Sequence, residues 1–153
     1  MPRGLRAQSS AQLITKAIPR TGERVPAIGL GTFLTFDVLR GQNRDHLCEV
    51  MRRFRDGGGR VIDTSPLYGT GETIVGDCAS ALGNGQDLFI ANKIWATGEY
   101  LNDDSHAQRS LEQSLDRLWR ERIDLMQVHS LVNVHFLVEL MQAWKKERFV
   151  TSA

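Results

Sequence analysis

The stretch Arg60-Val61-Ile62-Asp63-Thr64-Ser65-Pro66-Leu67-Tyr68-Gly69-Thr70-Gly71-Glu72 decides how this chain folds. Its β-branched start predicts a strand. Ser65-Pro66 breaks the run, and the glycines lead to an acidic residue suited to the first turn of a helix. Upstream, Leu47, Val50, Met51 and Phe54 recur at i, i+3, i+4 and i+7, so residues 44–55 predict an amphipathic helix closed by Gly57-Gly58-Gly59. Downstream, a helix expected over about residues 72–82 leads through Gly83-Asn84-Gly85 to the strand Leu88-Phe89-Ile90-Ala91-Asn92-Lys93. Asp103-Asp104-Ser105 then offers capping side chains before a helix with Leu111, Leu115, Leu118 and Trp119 on one face. Residues 123–129 form a fourth strand, and residues 134–146 a helix whose two final lysines suit its negative end. Toward the N-terminus, Ile28 to Phe33 is a short apolar strand, preceded by a hairpin over residues 13–28 turning at Thr21-Gly22-Glu23. Strands and helices alternating in this way predict parallel βα units.

Composition narrows the function. A 41% hydrophobic content is too high for a disordered chain, and 153 residues suffice for one domain. A net charge of +1 argues against a nucleic-acid partner, and Arg52, Arg53, Arg55 and Arg60 read as a solvated helix face. No run reaches the roughly 18 apolar residues of a membrane span. Cys48 and Cys78 match no zinc spacing and no disulfide framework, so both are expected as core or helix-packing residues. His46, His106 and His135 show no ligand spacing, and no metal is expected. The first eleven residues lack an apolar leader segment, and a cytoplasmic enzyme is the expectation.

The polar residues at strand ends point to chemistry. Asp63, Lys93 and His129 end the second, third and fourth strands, and a parallel sheet places all strand C-termini on one face, where ligands bind. Tyr68, in the loop after Asp63, would hang over the same mouth. Tyrosine is ordinarily a weak acid, and an ammonium within reach favours its phenolate. An aspartate paired with the lysine keeps that cation charged and oriented, while a neutral histidine can hold a substrate oxygen. Such a group is a general acid aimed at a carbonyl oxygen. The glycines at 69, 71 and 76 miss the G-x-G-x-x-G spacing of a dinucleotide fingerprint and read better as a helix start carrying Glu72.

These residues resemble a known family. Residues 61–72 are similar to the signature of the aldo-keto reductases, Ile28-Gly29-Leu30-Gly31-Thr32-Phe33 to their first strand, and Ile90-Ala91-Asn92-Lys93 to the strand carrying their lysine. Residues 110–118 resemble the helix before their histidine strand, which Asp124-Leu125-Met126-Gln127-Val128-His129 matches. The resemblance implies an α/β fold of the TIM (β/α)8-barrel type, here the N-terminal hairpin and first four βα units. Residues 1–12 would be a tail and residues 13–153 the N-terminal half of the domain, with residues 148–152 at most beginning a fifth strand. It also implies reduction of an aldehyde or ketone with NADPH, NADH being the other option. Tyr68 would be the general acid, supported by Lys93 and Asp63, with His129 orienting the carbonyl. Gly31, Thr32 and Asp63 match positions near the nicotinamide and ribose, and Phe33 and Trp95 the substrate pocket. Family members run to roughly twice this length, and the absent half would carry most of the cofactor site. The alternative is therefore an inactive half-barrel used for binding or regulation. Open sheet edges predict self-association, misfolding or a complementing partner.

Overall fold

Each strand of the parallel unit is followed by a helix that returns over it. The computed structural model describes residues 13–83, 85–95, 105–130 and 134–152. The N-terminal tail, Asn84 and the capping residues Asp103 and Asp104 lie outside them. Strands β1 (Thr15–Ala17) and β2 (Arg24–Pro26) form an antiparallel hairpin, with Gly22 in its turn at φ +73°. There follow β3 (Leu30–Gly31), α1 (Asp45–Asp56), β4 (Val61–Asp63), α2 (Gly71–Ala81), β5 (Phe89–Ile94), α3 (Ser105–Leu118), β6 (Ile123–Val128), α4 (Val134–Lys146) and β7 (Val150–Ser152). The five strands lie in chain order, β3-β4-β5-β6-β7, and are all parallel. This is the succession of the N-terminal part of a (β/α)8 barrel, with a fifth strand already paired to β6.

Alternation along the strands divides the sheet into two faces. Ile62, Ile90 and Met126 share the face that carries Asn92, whose side chain bonds to α2, and all are buried. They join Leu47 and Met51 of α1, Ile74, Val75 and Cys78 of α2, Leu111 of α3, and Leu137, Met141 and Trp144 of α4 in one apolar cluster. Lys93 and Gln127, neighbours in register, belong to the other face. At the amino-terminal ends of the strands, Arg120 ties β5 to β6. Its guanidinium donates to the Leu88 carbonyl at 3.1 Å and to Asp124 at 2.9 Å, and Asp124 also accepts the Ile90 N–H at 2.8 Å. Burial pulls the Arg120 guanidinium below its ordinary range, against the opposing field of Asp124.

The basic run on α1 is solvated and locally neutralised. Arg52 contacts Glu49 and Asp56 at 2.7 Å, Arg53 contacts Glu49 at 2.7 Å, and Arg55 pairs with Asp87 at 2.9 Å. Hydrogen bonds from Arg52 and then Arg53 hold the Glu49 carboxyl at about 2, well below the usual carboxylate range.

Three expectations are corrected. Val50 fits the helical period but is exposed, because α1 buries only a narrow stripe, Leu47 and Met51. Trp119 does not share the apolar face of α3. The helix stops at Leu118, Trp119 takes a left-handed φ of +56°, and its side chain is exposed. Cys48 and Cys78 do pack between α1 and α2, but as a disulfide rather than as free thiols. The helix contact brings their Cα atoms to 5.0 Å, inside the range a disulfide spans. Among the described residues no helix is long and apolar enough to cross a membrane.

The disulfide closes a loop of 30 residues in sequence separation. Its reduction, or the C48S substitution, is expected to lower the unfolding free energy by about 3 kcal/mol. Urea denaturation with and without dithiothreitol checks this; an unchanged midpoint would show that the bond adds nothing.

Candidate active site

The register of the parallel sheet brings the site together. Gly31 of β3 pairs with Asp63 of β4, and Asp63 pairs with Ala91 of β5. Lys93 stands two residues beyond Ala91, on the same face and nearer the carboxyl end. From there its Nζ donates to Asp63 Oδ1 at 2.6 Å and to the Thr64 carbonyl oxygen at 3.0 Å. The lysine side chain is 15% exposed and that of Asp63 is 44% exposed, so the cation is enclosed while its partner faces solvent. A charge so withdrawn from water requires such partners.

The loop after β4 carries Tyr68 over this pair. Its path is set by short-range bonds from Tyr68 N–H to the Ser65 carbonyl at 3.0 Å and from Gly71 N–H to the Tyr68 carbonyl at 2.9 Å. Gly69 then turns at φ +58°, and a Cβ there would strike the Asp37 carboxylate that accepts the Thr70 N–H at 3.0 Å. The Lys93 Nζ lies 4.9 Å from the centroid of the Tyr68 ring, a cation–π distance. Phe33 packs on the same tyrosine at 5.0 Å between centroids. His129, one residue past β6 and anchored by its N–H to the Ile94 carbonyl at 2.9 Å, meets Tyr68 edge-on at 5.8 Å. Among the described residues the Tyr68 hydroxyl has no hydrogen-bond partner. Asp63, Tyr68, Lys93 and His129 are therefore assembled at one mouth, with a phenol hydroxyl left for a ligand.

The other expected residues fall differently. Gly31 is exposed, and a Cβ there would meet nothing within 4 Å, so open space adjoins the Asp63 carboxylate. Thr32 is completely buried, its hydroxyl 3.1 Å from the Asp63 carbonyl and 3.0 Å from Thr64 Oγ1. The first of these bonds ties Thr32 to the backbone of Asp63. Phe33, largely exposed, stands beside Tyr68. Trp95 lines a separate cleft of about 300 Å³ with Pro66, Leu67, His106 and Arg109.

Sequence reading missed the support behind the site. Glu72 is 1% exposed; it accepts from Asn92 Nδ2 at 2.8 Å and from Arg117 at 2.9 Å, joining α2, β5 and α3. Asn92 Oδ1 in turn accepts the N–H of Lys93 at 2.8 Å. A carboxylate in a first helical turn signals only a helix start; its burial is a tertiary fact. Ser65 was also overlooked. Its Oγ lies 3.0 Å from His129 Nδ1.

Replacing Glu72 with Ala strands Asn92 and Arg117 together. Because Arg117 can still turn to water, the expected loss is about 3 kcal/mol, at the low end for a broken buried pair. Chemical denaturation measures it, and a loss below about 0.5 kcal/mol, the level of an ordinary surface change, would show the network to be idle.

Residues 27–147 match the sequence profile of the Aldo/keto reductase family. The chain is 32% identical over 137 residues to aldo-keto reductase YhdN of Bacillus subtilis, an alignment covering 82% of this chain and 41% of that protein. It is 31% identical over 110 residues to glycerol 2-dehydrogenase (NADP(+)) of Saccharomyces cerevisiae, covering 71% of this chain and 31% of that enzyme. Among solved structures, the aldo-keto reductase PA4992 of Pseudomonas aeruginosa superposes with a TM-score of 0.73 at 28% identity, over 89% of this chain and 57% of that one. An aldo-keto reductase of Klebsiella pneumoniae in complex with NADPH gives 0.73 at 25% identity, over 91% and 48%. The chain thus spans about half the length of these proteins.

Proposed function

The chain belongs to the aldo/keto reductase family, and from that premise we propose that its site reduces the carbonyl of an aldehyde or ketone to an alcohol with NADPH. The observation carrying this reading is the enclosed Lys93 ammonium, bonded to Asp63 and the Thr64 carbonyl and lying over the ring of Tyr68. Tyr68 is the general acid. A substrate carbonyl oxygen accepts hydrogen bonds from the Tyr68 hydroxyl and from the His129 ring, and the phenol proton passes to that oxygen as alkoxide character develops. Lys93 stabilises the phenolate left behind, and Asp63 keeps the ammonium in place. Phe33 offers an apolar wall beside the reacting carbonyl.

NADPH would supply the hydride that adds to the carbonyl carbon. The described residues fit its nicotinamide-ribose end. The open space at Gly31 admits a ring, and Asp63 spends only one carboxylate oxygen on Lys93, leaving the other to accept from a ribose hydroxyl. NADH would fit these residues equally, since neither touches the adenosine phosphate that distinguishes the two.

We also propose that further chain covers the sheet edges, from a second copy or a complementary half. Among the described residues β3 and β7 each pair on one side only. The proposed compartment is the cytoplasm, whose reducing conditions would open the Cys48–Cys78 disulfide seen in the structure.

NADPH titration followed by fluorescence, with turnover of a nitrobenzaldehyde, tests the main reading. Binding and turnover are expected, and Y68F should lower kcat at least 100-fold, the range of a lost general acid. Undiminished turnover by Y68F would refute the assigned acid; no binding and no turnover would leave a non-catalytic half-barrel. Light scattering should show dimers or larger species, and a stable, monodisperse monomer would sink the partner proposal.

A further inference from the structure

The two nitrogens of the His129 ring are not equivalent, and a carbonyl oxygen must meet the one that bears a proton. We infer that Ser65 selects it: the serine hydroxyl donates to Nδ1 and thereby holds the ring proton on Nε2, facing the ligand. This rests on the reductase reading for its purpose but on hydrogen-bond accounting for its substance.

Ser65 is 1% exposed, and among the described residues its Oγ has two partners: His129 Nδ1 at 3.0 Å and the Leu67 N–H at 3.2 Å. A hydroxyl holds one proton and two acceptor positions. The Leu67 N–H can only donate, so it takes one acceptor position. Were Nδ1 also protonated, Oγ would accept twice, and its own buried proton would face no acceptor, the costly state for a polar group removed from water. With Nδ1 bare, every group is satisfied: Leu67 N–H to Oγ, Oγ–H to Nδ1, and the ring proton on Nε2. Among the described residues Nε2 has no protein partner, so its N–H is left for a substrate oxygen.

The same residue also steers the acid. The Ser65 carbonyl accepts the N–H of Tyr68 at 3.0 Å, so its hydroxyl orients one donor and its carbonyl places the other. Ser65 touches no substrate in this arrangement; it is a positioning residue.

The test reads the ring directly. Protein labelled with 15N-histidine is examined by long-range 1H–15N correlation, without cofactor or substrate, at a pH where the imidazole is neutral. The wild type is expected to show His129 as a single Nε2–H tautomer, S65A a mixture of tautomers, and S65T, which restores a hydroxyl, the wild-type pattern. An Nδ1–H tautomer in the wild type, or an unchanged single Nε2–H tautomer in S65A, overturns the assignment. The wild-type spectrum decides even if S65A fails to fold. In steady-state assays, S65A is expected to lower kcat about tenfold, a fraction of a full acid–base effect, with the KM for NADPH unchanged. A protein that turns over no aldehyde would sink the reductase reading while leaving the tautomer result standing.

Discussion

Lys93 must keep a charged ammonium where little water reaches it, and much of this structure answers that requirement. Its partners, the Asp63 carboxylate and the Thr64 carbonyl, both belong to the end of the neighbouring strand. They reach Nζ only in the observed register, which sets Asp63 opposite Ala91 and leaves Lys93 two residues higher. A slip of one residue would turn Lys93 into the apolar cluster and Asn92 onto the face that carries Asp63. The register is locked from the other face as well. Asn92 bonds back to the Lys93 N–H and forward to Glu72, which Arg117 neutralises. Adjacent residues of one strand thus carry two polar systems on opposite faces, one at the Asp63–Lys93 pair and one holding the backbone.

The sequence made visible whatever depends on period and on strand ends. The sequence pattern located α1 and α2 to within a residue and α4 to the residue, and for α3 it marked a capping segment and an apolar face without bounds. Asp63, Lys93 and His129 stood out because strand ends seldom choose ionisable residues, and parallel topology alone makes such ends neighbours. What stayed hidden depends on contacts between elements. Cys48 and Cys78 carry no spacing signal, since their meeting reflects how α1 leans on α2. Trp119 continues the apolar stripe of α3 on paper, yet the chain leaves the helix one residue earlier. Thr32 sits beside an exposed glycine in sequence, but its own side chain turns inward and is buried. Ser65 could have been found by asking what fixes the histidine tautomer, a question raised by chemistry rather than by any pattern.

Gly76 shows the same lesson from the glycine side. Its position spoils a dinucleotide fingerprint, and the structure supplies another reason for a glycine there. A Cβ on Gly76 would strike the Arg117 carbonyl and crowd Trp119 and Leu118 where α3 ends. The missing side chain lets the end of α3 settle on α2, which keeps the Arg117 guanidinium within 2.9 Å of Glu72. A glycine far from the mouth therefore serves the strand that carries Lys93.

The polar groups of this site are held by neighbours close at hand. Lys93 is fixed by β4, Tyr68 by the turn from Ser65 to Gly71, and His129 by Ile94 and Ser65. Each of these contacts lies within the described βα units. The four polar side chains are thereby placed by the parallel register and by the loop after β4.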